Sequence, residues 1–118
     1  MLKCYGYSSC STCRAAHKFL RGRGIPFTEI PIREQPPSLP ELRAMLAAHG
    51  GQLRRLFNTS GQDYRAMGLK DRLPAMDVDE ALRLLAGHGN LVRRPFLIGP
   101  GTALVGFDAA AWTAALKA

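Results

Sequence analysis

A chain of 118 residues with 47% apolar side chains is expected to form one domain with a buried core, neither disordered nor stapled by disulfides. Three cysteines are an odd number and too few for a secreted disulfide framework, and no apolar run approaches the ~18 residues of a membrane span. The net charge of +7 is spread along the chain, without a Lys/Arg tail, a basic stripe interleaved with aromatics or a helix-turn-helix pattern. Direct nucleic-acid binding is therefore not expected. A solvated basic surface is, and its field can draw anionic substrates or an acidic protein partner.

Leu2 to Tyr7 reads as a strand and Ala15 to Arg21 as a helix. Between them lies Tyr7-Ser8-Ser9-Cys10-Ser11-Thr12-Cys13-Arg14, a CxxC pair where a strand turns into a helix. The first amides of a helix lack internal partners and the dipole is positive there, so a thiolate is stabilised and its pKa falls below the ~8.5 of a free cysteine. Arg14 adds a positive group. Cys10, at the open end of the turn, is the expected nucleophile, and Cys13, one turn into the helix, the resolving thiol. Strand-like sequence begins at Leu2, so no export signal is expected, and a CxxC pair in that setting points to a reducing, cytoplasmic compartment.

Gly22-Arg23-Gly24 stops the helix, and Ile25 to Ile32 reads as a second strand whose prolines suit an edge or a strand end. Strand, helix and strand make a βαβ unit with a right-handed crossover. After a proline-marked loop from Arg33 to Pro37, Ser38 and Glu41 have capping-box spacing and open a helix to Ala48, with Leu39, Leu42 and Leu46 on one face. His49-Gly50-Gly51 ends it. Short helices are expected over Gln52–Phe57 and Tyr64–Leu69, with a turn at Asn58-Thr59-Ser60-Gly61. Asp77 opens a longer helix in which Val78, Ala81, Leu82 and Leu85 follow helical spacing, ended by Gly87 and Gly89. Phe96-Leu97-Ile98 and Ala103-Leu104-Val105, around Gly99-Pro100-Gly101, read as a hairpin. Asp108 can cap a last helix with Trp112, Ala115 and Leu116 facing inward. The order predicts an α/β fold, a small mixed sheet flanked by helices, with the CxxC placed as in thioredoxin-like proteins.

Five stretches then resemble the ArsC/Spx family of glutaredoxin-linked arsenate reductases, Spx- and MgsR-type regulators and uncharacterised relatives. They are Tyr5 to Arg14, Gly24-Ile25-Pro26-Phe27, Asn58 to Gly61, Arg93-Arg94-Pro95-Phe96-Leu97 and Val105-Gly106-Phe107. The resemblance runs over nearly the whole chain, 1–118. It implies a thioredoxin-like fold with a helical insertion at about 38–89. It also implies a cis peptide before Pro95, facing the cysteines. Of the three arginines with which the reductases hold their oxyanion, only Arg94 is matched. Asn58 and Gly106 stand where the others fall, and the second cysteine, Cys13, is unusual for a reductase. A multiply charged oxyanion needs charge-assisted bonds, so this departure weighs against arsenate reduction. The CxxC, the Asn58 turn and Val105-Gly106-Phe107 look more like the Spx-type branch. Those regulators bind the C-terminal domain of the RNA polymerase α subunit near a glycine at the end of the second helix. Gly50 and Gly51 fall there, although a plain helix cap explains them from spacing alone.

The expected catalytic residues are Cys10, Cys13 and Arg94, and the expected substrate contacts are Ser11, Thr12, Arg14 and Pro95. Cys4, Cys10, Cys13 and His17 could be counted as zinc ligands, but Cys4 alternates into the core and one CxxC is a poor zinc signal. Cys4 reads as a packed small hydrophobe, Trp112 as core, and His17, His49 and His88 as surface or helix-end residues. The leading function is thiol–disulfide exchange in a glutaredoxin-like oxidoreductase. No bound cofactor is expected. Glutathione, glutaredoxin or thioredoxin would serve as external reductant, and a thiol or disulfide protein or glutathione as partner. The alternatives are a redox-switched regulator on the RNA polymerase α subunit and a glutaredoxin-dependent arsenate reductase. The chain is read as a monomer.

Overall fold

Four strands, β1 (Leu2–Gly6), β2 (Phe27–Pro31), β3 (Phe96–Gly99) and β4 (Thr102–Val105), form one mixed sheet of order β2-β1-β3-β4 in the computed structural model, which describes residues 1–116. β1 and β2 are parallel, with Gly6 opposite Pro31, and β3 is antiparallel to both β1 and β4. Parallel neighbours need a crossover, and helix α1 (Ser11–Gly22) supplies it. The prolines of the second strand lie at an edge, where a missing amide breaks no ladder.

Alternation in the two middle strands decides the layering. Cys4 and Leu97 point to one face and pack with Ala16 and Leu20 of α1 and with Trp112 of helix α6 (Ala109–Ala115). Tyr5, Phe96 and Ile98 point to the other face and pack under the helical section. That section holds α2 (Leu39–Ala48), α3 (Gln62–Ala66), α4 (Leu69–Arg72) and α5 (Val78–Gly87), with 3₁₀ turns at Leu53–Leu56, Leu73–Ala75 and Gly89–Leu91. Both faces of the sheet are therefore covered, which is why β1 and β3 are apolar on both sides.

The capping box forms as its spacing predicts: the Glu41 amide donates to the Ser38 hydroxyl, and the Ser38 amide donates to Glu41. The Glu41 carboxylate also accepts from the Tyr5 hydroxyl at 2.7 Å and from Lys3 at 3.2 Å, tying α2 to β1. The hairpin turns at Pro100-Gly101, with Gly101 at φ 71°. Asp108 caps α6 by accepting from the amides of Ala110 and Ala111.

Four expectations are corrected. The helix expected over Tyr64–Leu69 is two, because Gly68 adopts φ 62° and breaks the run between α3 and α4. Val78 is 46% exposed, since the first turn of α5 extends past the elements that bury Ala81, Leu82 and Leu85. Ala115 is exposed, because only Trp112 and, in part, Leu116 of the short last helix reach the sheet. His17 is buried rather than at the surface: it stacks on Phe27, with Nδ1 3.3 Å from Glu29. His49 and His88 do lie at helix ends, at the C-caps of α2 and α5.

Candidate active site

The site grows from the end of β1. After Gly6 the chain turns, with the Cys10 amide donating to the Tyr7 carbonyl at 3.3 Å, and α1 begins. Cys10 is the N-cap of that helix, in extended backbone geometry, and its sulfur accepts from the Cys13 amide at 3.3 Å. A sulfur in the N-cap position thus does what Ser or Asp does elsewhere, satisfying an amide the helix leaves free. No acidic residue occupies the first turn to oppose a negative charge.

Cys10 is half-buried and Cys13 fully buried. Burial works against a Cys10 thiolate. Hydrogen bonds from the Cys13 thiol and from the Cys13 and Thr12 amides, with the charge of Arg94, outweigh it, so its pKa lies below the ordinary thiol value. Cys13 goes the other way: burial, its hydrogen bond to Cys10 and the charge on Cys10 push it up to about 12, against weaker pulls from Arg94 and Arg14. The two sulfurs are therefore set apart, one poised to be charged and its neighbour to keep its proton. The adjacent Arg14 is exposed and donates to the Ser8 carbonyl at 2.9 Å; the cation that bears on Cys10 is Arg94.

Arg94 arrives from the other end of the chain. A bridge between Phe57 and Val92, with the Asn58 amide donating to the Leu91 carbonyl at 2.7 Å, lays the Asn58 turn beside the strand that leads to Arg94. The Arg94–Pro95 peptide is cis, as the family pattern implies, and Pro95 is buried. The Pro95 carbonyl accepts from the Gly106 amide at 2.9 Å. Gly106 has φ 70°, and the Arg93 guanidinium packs where its side chain would be. Ser11 and Thr12 are exposed on the first turn of α1, at the mouth of the site. Gly50 and Gly51, with φ 68° and 76°, end α2 elsewhere.

Cys4 takes no part. It is fully buried on the α1 face, and burial pushes its pKa up to about 12. Among the described residues no three or more His, Cys, Asp or Glu side chains converge as metal ligands would. Nor is any helix there long and apolar enough to cross a membrane.

Two residues at this end of the sheet escaped the sequence reading. Tyr7 receives the Arg33 guanidinium at 4.2 Å and that of Arg94 at 5.2 Å from its ring centroid. A signal existed: Tyr7 shares the face of Tyr5 by alternation, and Arg33 follows a strand parallel to β1, so both leave the sheet at the same end.

The model of the ArsC family matches residues 5–115. The protein YusI of Bacillus subtilis is 46% identical over 103 residues, covering 87% of each chain. An arsenate reductase of Rhizobium meliloti is 35% identical, covering 85% of this chain and 71% of its own. The global transcriptional regulator Spx of Enterococcus faecalis is 31% identical, covering 92% and 80%. Among solved structures, a possible arsenate reductase of Streptococcus mutans superposes with a TM-score of 0.84 at 42% identity over 91% of both chains. With its mixed four-stranded sheet flanked by helices and CxxC at the head of the first helix, the chain has the thioredoxin-like fold and belongs to the ArsC family.

Proposed function

We propose that the protein is a cytoplasmic thiol–disulfide oxidoreductase with Cys10 as nucleophile, Cys13 as resolving thiol and Arg94 as the cation that holds the Cys10 thiolate. The observation that carries this reading is the contrast between the two sulfurs: Cys10 is half-exposed with a lowered pKa, and Cys13 is buried with a raised one. The Cys10 thiolate attacks one sulfur of a substrate disulfide. A mixed disulfide forms, the substrate S–S bond breaks and one substrate thiolate leaves. Cys10 is then neutral, so its charge and its accepted hydrogen bond no longer hold the Cys13 proton, while Arg94 and Arg14 still favour a thiolate there. Cys13 loses its proton and attacks the Cys10 sulfur, releasing the second substrate thiolate and leaving a Cys10–Cys13 disulfide. The substrate has gained two electrons. Two equivalents of glutathione, or glutaredoxin or thioredoxin, return the pair to the dithiol. Ser11, Thr12 and Arg14 form the exposed surface against which the substrate docks, and the buried cis-Pro95 backs it.

The test is trapping. Cys13→Ser incubated with a disulfide should accumulate an adduct on Cys10, read by mass spectrometry, and Cys10→Ser should form none. Full exchange activity in Cys10→Ser sinks the assignment.

A second reading is supported by the similarity to Spx: the same pair would act as a switch, its oxidation altering a surface that binds the C-terminal domain of the RNA polymerase α subunit. Pull-down with that domain, oxidised against reduced, separates the readings, and redox-independent or absent binding removes the regulator. Arsenate reduction, carried by the similarity to arsenate reductases, is tested by glutaredoxin-coupled turnover.

A further inference from the structure

A cleft of about 200 Å³ opens beside the end of β1, lined by Arg33, Asn58, Gln62, Asp63, Asn90 and Arg94. Two guanidiniums lining one small cleft give it a positive field that favours an anion. Both are positioned by their surroundings. Arg33 lies over the Tyr7 ring, and its Nε donates to Asn90 Oδ1 at 2.6 Å, while its terminal nitrogens have no hydrogen-bond partner among the described residues. Asn90 reaches it because Gly89 packs against the backbone of Ile32 and Arg33: a Cβ at position 89 would fall 1.9 Å from the Ile32 carbonyl oxygen. Arg94 also lies over Tyr7, and its charge is felt at Cys10. Among the described residues neither arginine forms an ion pair, although Asp63 lies in the same wall.

We propose, resting on the oxidoreductase reading, that Arg33 and Arg94 form a clamp for the carboxylate of an anionic low-molecular-weight thiol, and that this clamp selects the disulfide that Cys10 attacks. Arg33 and Arg94 outnumber the Asp63 carboxylate in the lining, and since Arg94 also faces the Cys10 thiolate, the positive excess left for a ligand suits a single carboxylate. A dianionic tetrahedral oxyanion would exceed it and meet Asp63 as well. The fork of a guanidinium matches a carboxylate, and the side-chain amides of Asn58 and Gln62 supply further donors. Arg33 thus brings a second cation to the site from a part of the chain where the arsenate-reductase pattern has none, while Asn58 occupies the position of one missing arginine. The step is the exchange described above: the clamped half of the disulfide bonds to Cys10, and the other half leaves as a thiolate.

The test compares two disulfides in single-turnover oxidation of the reduced protein: glutathione disulfide, which is anionic, and bis(2-hydroxyethyl) disulfide, which is uncharged. Arg33→Ala should slow the reaction with the first about tenfold, the loss of one charge-assisted contact, and leave the second unchanged. Arg33→Lys should recover part of the loss, and the Cys10 titration should not move in either variant. An equal fall for both disulfides, or no fall for glutathione disulfide, overturns the clamp while leaving the oxidoreductase reading intact. If neither disulfide oxidises the unaltered protein, the oxidoreductase reading fails and the clamp falls with it. Arsenate-dependent turnover that Arg33→Ala abolishes would assign the cleft to an oxyanion and overturn the carboxylate.

Discussion

A Cβ on Gly6 would lie 2.7 Å from the sulfur of Cys13. The last residue of β1 is thus the floor on which the buried thiol rests. Gly6→Ala should displace that sulfur, disturbing its hydrogen bond to Cys10 and raising the Cys10 pKa. Overpacking there should also cost about 1–3 kcal/mol. Urea unfolding and ultraviolet thiolate titration of the same variant check the two effects, and a variant that matches the parent in both refutes this packing.

Arg94 and Arg14 make a contrasting pair. The charge of Arg94 lowers the Cys10 pKa, whereas Arg14 is engaged with the Ser8 carbonyl. In Arg94→Ala the Cys10 titration should move upward. In Arg14→Ala it should move less. In the unaltered protein Cys10 should titrate below an ordinary thiol. Exchange should therefore slow as pH falls and Cys10 takes up its proton, and in Arg94→Ala it should slow from a higher pH.

His17 makes folding sensitive to acid. Burial lowers its pKa, the Arg21 charge adds to the effect, and the Glu29 carboxylate only partly opposes them. The unfolded chain takes up this proton near pH ~6.5, while the folded protein resists until lower pH. The associated stability is complete above the unfolded value and is lost as pH falls through the folded one. His17→Gln should flatten the decline of Tm between neutral and mildly acidic pH, a comparison that thermal melts at several pH values supply.

The position of His17 was legible in outline. Cys13, Ala16, His17 and Leu20 stand at i, i+3, i+4 and i+7, so the histidine lies on the stripe that α1 buries. Its polar type outweighed its position in the reading. Strands, the capping box, the hairpin and the redox turn were readable because each rests on a local signal: alternation, a side-chain bond three residues away, or Pro-Gly at a turn. What failed depended on distant partners. Val78 obeys helical spacing but stays 46% exposed, and Gly68 divides a helix that composition left whole. The Tyr7–Arg33–Arg94 group joins three separate parts of the chain, and only the sheet order brings them together.

Glu41 accepts from Ser38, Tyr5 and Lys3, and although partial burial opposes its charge, these donors lower its pKa. Ser38→Ala should cost about 1 kcal/mol as a lost cap. Glu41→Ala should cost more, about 1–3 kcal/mol, because the Tyr5 hydroxyl loses its partner as well. The Glu41 contribution is full above the ordinary carboxylate range and disappears as pH falls through the lowered value. Chemical denaturation of both variants at neutral pH orders the two costs.

Cys4 is fully buried in the apolar cluster between α1, α6 and the sheet, and after burial itself the nearby Cys13 charge is the next cause that raises its pKa. An alkylating reagent can reach this third thiol only when the packing around it opens, so the rate at which it is labelled is a clock for opening of that cluster. The same enclosure keeps an odd cysteine away from external disulfides while the packing around it is intact.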